Sequence, residues 1–233
     1  HLKSQTMISA SILLQGTTAA AETAEEATMS LADLYLAGGW VMYFLTLLSF
    51  VALYIFIERY LVIKKASKGD ANFMNRIKDY MYEGKVDAAL QLCRKTSSPQ
   101  ARMVEKGINR LGRPLADVTE AIENVGKLEI HKLEKRFPTL ATIAGAAPLM
   151  GFLGTVIGMV QAFYEMSLAG NSLDISTLSG GIYTALITTV GGLILGILAY
   201  FGYNLLVVRV ENVVFQLETT STEFLDILNE PVK

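Results

Sequence analysis

The sequence predicts an all-α integral membrane protein, with three transmembrane helices and a long helical cytoplasmic domain. Three observations predict it. Residues Trp40–Ile57, Thr139–Tyr164 and Leu178–Val208 contain no Asp, Glu, Lys, Arg or His, and about 20 apolar residues carry a helix across a bilayer. The chain is 52% hydrophobic and only 18% charged, against roughly 25% charged for a soluble domain, and its mean hydropathy is positive. Seventeen of its twenty Lys and Arg residues lie between Arg59 and Arg136, while one precedes the first span and two follow the third.

That asymmetry orients the chain. Basic residues favour the cytoplasmic side, and those nearest the spans are Arg59, Lys64 and Lys65 at one end of the middle segment and Lys132, Lys135 and Arg136 at the other. The N-terminus is therefore expected outside and the C-terminus inside. The resulting division is an outer, signal-like segment (1–38), a first span (39–63), a cytoplasmic helical domain (64–137), a second span (138–164), an outer loop (165–177), a third span (178–208) and a cytoplasmic C-terminal helix (209–233). Within the first segment, Met7–Ala21 has a short apolar core ending in Ala-Ala-Ala-Glu, the pattern of an export signal. Glu165 and Asp174 flank the outer loop and read as solvated, with attraction of cations to an outer mouth as the alternative.

The middle segment is helical by periodicity. Asn72–Glu83 carries Phe73, Met74, Ile77, Tyr80 and Met81 and stops at Gly84; Lys85–Arg94 follows and breaks at Thr96-Ser97-Ser98-Pro99. Gln100–Leu111 is stopped by Gly112-Arg113-Pro114. From Leu115 the pattern runs to Phe137 with no loop signal, so the expectation is one long helix continuing into the second span. Its Lys and Glu residues read as a solvated face, with anionic-lipid contact at Lys132, Lys135 and Arg136 as the alternative. Cys93 is the one cysteine, so no intrachain disulfide forms, and it reads as a small core residue. His1 and His131 alone cannot build a metal site. No cofactor and no nucleic-acid partner is expected.

The second and third spans carry the chemistry. Gly151, Gly154 and Gly158 recur on one face of the second, and Gly192 and Gly196 on the third. Small residues let membrane helices approach backbone to backbone. Pro148 removes a helical hydrogen bond and is expected to bend the second span. Beside the glycines stand Thr155, Thr184, Thr188 and Thr189. Thr184 and Thr188 share a face, with Thr189 about 100° round. The plain reading is that each hydroxyl bonds the carbonyl one turn back. Glu58 and Arg59 close the first span, either as an interface pair with the arginine snorkelling toward phosphates or as an inter-subunit salt bridge.

Two stretches carry a resemblance. Leu133–Met159, with its Gly-Thr-Val-x-Gly core inside an Ala-Pro-Leu-x-Gly frame, and Gly181–Leu193 resemble the MotA/TolQ/ExbB ion-channel family, and ExbB in particular. Glu58-Arg59 at the end of span one and the three-span layout also match, so the resemblance covers about residues 40–210. It implies a bacterial inner-membrane ring, typically a pentamer, with the outer segments in the periplasm. The ring would surround a dimer of a single-span partner similar to ExbD or TolR. Ion flow down the proton gradient would drive that pair to work on a TonB-like or TolA-like protein, for transport across the outer membrane or, in a TolQ-like role, for its maintenance. By position, Thr155 and Thr189 correspond to the threonines facing the ion path, and Thr184 stands where ExbB and TolQ usually carry a glutamate.

That departure has a physical consequence. Tyrosine, with an ordinary pKa of about 10, is the only titratable type in the second and third spans. A carboxylate for proton transfer must then come from the partner, as an aspartate in its span. Threonine oxygens also suit a partly dehydrated sodium ion, so the sequence leaves proton and sodium both open. A passive membrane scaffold would need the glycines but not the threonines. An enzyme is not expected, because the spans hold no acid pair and no Ser/His constellation.

Overall fold

The computed structural model describes residues 35–70, 72–168 and 175–229, and among them every regular element is helical. The signal-like Met7–Ala21 and Asp174 lie outside the described residues. Helix α1 spans Gly39–Ser67, with Lys64 and Lys65 in its last turn, where cations suit the helix dipole. Three short helices follow: α2 (Phe73–Tyr82), α3 (Val86–Lys95) and α4 (Pro99–Ile108). Then come α5 (Leu115–Glu134), α6 (Phe137–Leu168) and α7 (Ile175–Asn229). Three of the helical stretches, α1, the α5–α6 run and α7, are long and apolar enough to cross a membrane.

Local chemistry explains the breaks. Gly84, at φ +70°, ends α2 in a Schellman motif, with Lys85 N–H on Tyr80 O at 2.9 Å and Gly84 N–H on Met81 O at 3.2 Å. Ser98 caps α4 by accepting from Ala101 N–H at 3.2 Å, with Pro99 in the first turn. Gln100–Leu111 was the expected third segment; the regular helix is Pro99–Ile108, followed by turns up to Gly112.

The expected single helix from Leu115 into the second span does not form. The chain breaks at Lys135-Arg136, and Arg136 is the one non-glycine residue at positive φ among the described residues (+72°). Pro138 supplies the reason. It has no N–H to bond the Glu134 carbonyl and its ring would collide with that carbonyl, so α5 ends at Glu134 and α6 restarts with Pro138 in its first turn. The helix that does run on is α7, whose 55 residues make roughly 80 Å at about 1.5 Å per residue.

The core lies in two places. Below the spans, Phe73, Ile77, Ala89, Cys93, Val104, Ile108 and Ile122 pack on Val213, Leu217 and Phe224 of α7. A Cβ at Gly107 would stand 2.5 Å from the Phe224 ring and 2.8 Å from Ile122, so glycine is what lets α4 press between α5 and α7. Burial pushes the Cys93 thiol up to about 12, which leaves it unreactive. Within the spans the core is the α6–α7 contact.

Candidate ion-path site

Helices α6 and α7 run antiparallel with their small residues paired across the seam. A Cβ on Gly151 would lie 2.8 Å from Thr188 O and 3.1 Å from the Gly192 Cα; one on Gly192, 2.6 Å from Ala147 O. One on Gly158 would meet Ala185, and one on Gly196 would come 2.5 Å from the Pro148 ring. Every glycine singled out in these spans is used in this way. The seam extends one step further than the sequence reading had it, to Gly181 against Ala162; the Gly158-x-x-x-Ala162 spacing was the overlooked signal. Pro148 lies inside a helix that continues without interruption.

Three hydroxyls gather at the middle of this seam. Gly154 opens the space for Thr188: a Cβ there would sit 2.5 Å from Thr188 Oγ1. Thr188 is 1% exposed and donates to Ala185 O at 2.7 Å, with Gly151 O at 3.3 Å. Thr155 and Thr189 are half-buried, and their hydroxyls touch across the two helices. Thr155 Oγ1 lies 3.1 Å from Ala185 O and 3.4 Å from Gly151 O, and Thr189 Oγ1 lies 3.2 Å from Gly151 O. The plain reading, each hydroxyl on its own helix one turn back, holds in part for Thr188 and Thr155, which also reach across the seam, and fails for Thr189, which bonds only across it.

The arrangement has a chemical consequence. Three hydroxyl protons serve six short contacts, so donor directions can exchange without moving a heavy atom. The same oxygens, two carbonyls and two accessible hydroxyls, are hard ligands of the kind that replace water around an alkali cation. Thr184 is not part of the group. It is half-buried and makes no hydrogen bond among the described residues. Of the four threonines, then, Thr155 and Thr189 are accessible, Thr188 supports them from inside the seam, and Thr184 stands apart.

At the other end of the spans, Glu58 and Arg59 pair with each other, and both also reach across to α5 and the α5–α6 break. Arg59 is 6% exposed. It donates to Glu58 at 2.5 Å and to Lys132 O at 3.1 Å, while its Nε is buried without a partner. Glu58 also pairs with Arg136, whose guanidinium lies 5.8 Å from the Tyr54 ring. The arginine therefore bonds within its own chain and ties α1 to the α5–α6 break. One turn below, Glu129 departs from the solvated face expected of α5. It is 4% exposed and accepts from Arg102 at 2.5 Å and Lys132 at 2.7 Å. Burial alone would raise its pKa, but the two cations outweigh it and hold the carboxyl below its usual range. With Lys132 and Arg136 both engaged, only Lys135 of the proposed lipid-contact trio has no carboxylate partner among the described residues. Among those residues no group of three or more metal-ligating side chains occurs.

Fold and site together define a helical membrane protein whose last two spans meet in a glycine seam enclosing a small hydroxyl cluster. Comparison with known proteins names the family. Residues 95–219, from the end of α3 well into the second half of α7, match the MotA/TolQ/ExbB proton channel family; the chain belongs to this family and is of its ExbB/TolQ type. A biopolymer transport protein ExbB homolog of Methanothermobacter thermautotrophicus is 25% identical over 187 residues, 80% of this chain and 66% of that protein. A biopolymer transport protein ExbB-like 3 of Synechocystis is 30% identical over 164 residues, 70% of this chain and 78% of the relative. The Tol-Pal system protein TolQ of Haemophilus influenzae is 39% identical over 101 residues, 43% of this chain and 44% of TolQ.

Proposed function

We propose that this chain is the ring subunit of an ion-driven motor in a bacterial inner membrane, with its N-terminus periplasmic. Several copies, five by the family pattern, surround a single-span partner similar to ExbD or TolR that carries an intramembrane aspartate. The observation that carries this reading is the Thr155–Thr189 contact across the glycine seam. It places two accessible hydroxyls and the Gly151 carbonyl at one depth in an otherwise apolar pair of spans. A partner carboxylate arriving there finds donors that stabilise its charged form and can relay its proton, without a titratable group on the ring itself. The coupled work then reaches the outer membrane through a TonB-like protein. The 39% identity with a TolQ over 101 residues supports a second reading, in which the work goes through a TolA-like protein to maintain that membrane.

Thr155→Val tests the motor against a passive scaffold, because it keeps the shape and removes the hydroxyl. In cells depending on this protein, energised uptake or envelope integrity should fall to near the deletion level while the complex still assembles. Full activity of Thr155→Val would sink the motor reading and leave the threonines as packing.

A further inference from the structure

Away from the hydroxyl cluster, a groove of about 340 Å³ runs between α1 and α7. Ala52, Leu53 and Phe56 form one wall and Leu198, Gly202 and Leu205 the other. Leu53, Leu198 and Leu205 are exposed, so the groove opens outward. Gly202 gives it depth, since a Cβ there would stand 3.1 Å from the Phe56 ring. One turn further along both helices the groove ends at a cation: the Arg209 guanidinium lies 4.6 Å from the centroid of the Tyr60 ring. Arg209 is the only basic residue of α7, it is exposed, and no carboxylate lies within ion-pair distance of it among the described residues.

We propose that this groove binds one phospholipid, with an acyl chain lying between α1 and α7 and its phosphate on Arg209. Length favours a lipid over a protein helix. From Leu195 to Leu205 the groove follows about 15 Å of helix at 1.5 Å per residue, half of a hydrocarbon core of about 30 Å. That is the depth of a single leaflet, whereas a partner helix needs a seat through both. Charge favours it too. A guanidinium placed over an aromatic ring and without a carboxylate partner leaves its N–H fork available for bidentate binding of a phosphate, and Arg209 sits where the apolar run of α7 ends. The groove and its cation stand on geometry alone; that the leaflet is the cytoplasmic one rests on the orientation proposed above.

The test is native mass spectrometry of the intact complex, delipidated in mild detergent and titrated with dioleoylphosphatidylglycerol. Wild type should take up one lipid per chain. Arg209→Gln, at an exposed side chain with no ion-pair partner among the described residues, should weaken uptake about tenfold, the loss of one charge-assisted contact. Gly202→Leu should abolish uptake by filling the groove, with the number of subunits unchanged. Equal uptake by all three proteins would overturn the proposal. A changed subunit number with undiminished lipid uptake would also overturn it and assign the groove to a second copy. Neither result bears on the hydroxyl cluster, so the motor reading stands or falls separately.

Discussion

A hydroxyl inside a membrane helix has three fates in this molecule. Thr188 is sealed in the seam and serves as a local spacer; Thr155 and Thr189 hydrogen-bond each other across two helices; Thr184 has no hydrogen-bond partner among the described residues. The expected effects of removing each hydroxyl by Val differ accordingly. Thr188→Val leaves no room for water in place of the lost bond and should lower stability in detergent by about 1 kcal/mol. Thr184→Val should leave stability unchanged within about 0.5 kcal/mol, as measured by thermal denaturation. The carboxylates obey a different logic. Glu129 is depressed in the folded protein, so the stability it contributes is fully present above the ordinary carboxylate value of 4.5. It is lost as pH falls below that value and through the depressed folded pKa. Wild type should therefore lose melting temperature over that window more steeply than Glu129→Gln, which should already melt lower at pH 7. Parallel curves for the two proteins would show that the Arg102–Glu129–Lys132 group does not carry linkage.

At the scale of the element, the α6–α7 pair is defined by what it lacks. Its backbones approach so closely that a side chain at Gly192 would meet the Ala147 carbonyl and Gly151 Cα, neither of which can rotate away. Gly192→Leu should cost more than the roughly 1–3 kcal/mol usual for overpacking a core. It should abolish the Thr155–Thr189 contact by prising the helices apart; loss of both the folded species and ion coupling would register it, and a wild-type melting curve would refute the seam. The glycines and the threonines were legible in the sequence because their spacing is local to each helix. Their pairing was not, since which hydroxyl faces inward depends on the register of two antiparallel helices 30 or more residues apart. The α5–α6 break was missed for a similar reason. Pro138 was visible, but at a helix start it is harmless, and only the Arg136 backbone shows that the chain stops and begins again there. The Glu58–Arg59 pair was legible because the two are neighbours in sequence; the second acceptor of Arg59, Lys132 O, lies 73 residues away and has no signature in the sequence.

For the whole molecule, the two halves divide the labour. The spans carry no Asp, Glu, Lys, Arg or His from Thr139 to Tyr164 or from Leu178 to Val208, so the proposed ring is expected to need a second protein to move ions. Rings purified without a single-span partner and reconstituted in liposomes should show negligible ion flux, and appreciable selective flux would refute the partner-carboxylate mechanism. Native mass spectrometry of the chain co-expressed with its aspartate-bearing neighbour should give about five copies around two partners. A monomer or dimer that never captures such a partner would favour the scaffold. Beyond the apolar run of α7, Val213, Leu217 and Phe224 are buried by α2, α4 and α5, so the helical domain between the first two spans is built directly on the third span.

Because α7 is unbroken from Ile175 to Asn229, it behaves as a lever. Asn229 lies 40 residues beyond Thr189, roughly 60 Å along the axis at about 1.5 Å per residue. A tilt of about 5° at the hydroxyls would then sweep the far end through roughly 5 Å by rigid-rod geometry. Helix α6 has no such reach, because the turn at Lys135-Arg136 uncouples it from α5. Ångström-scale events deep in the bilayer are thus amplified along one arm and absorbed at the elbow of the other.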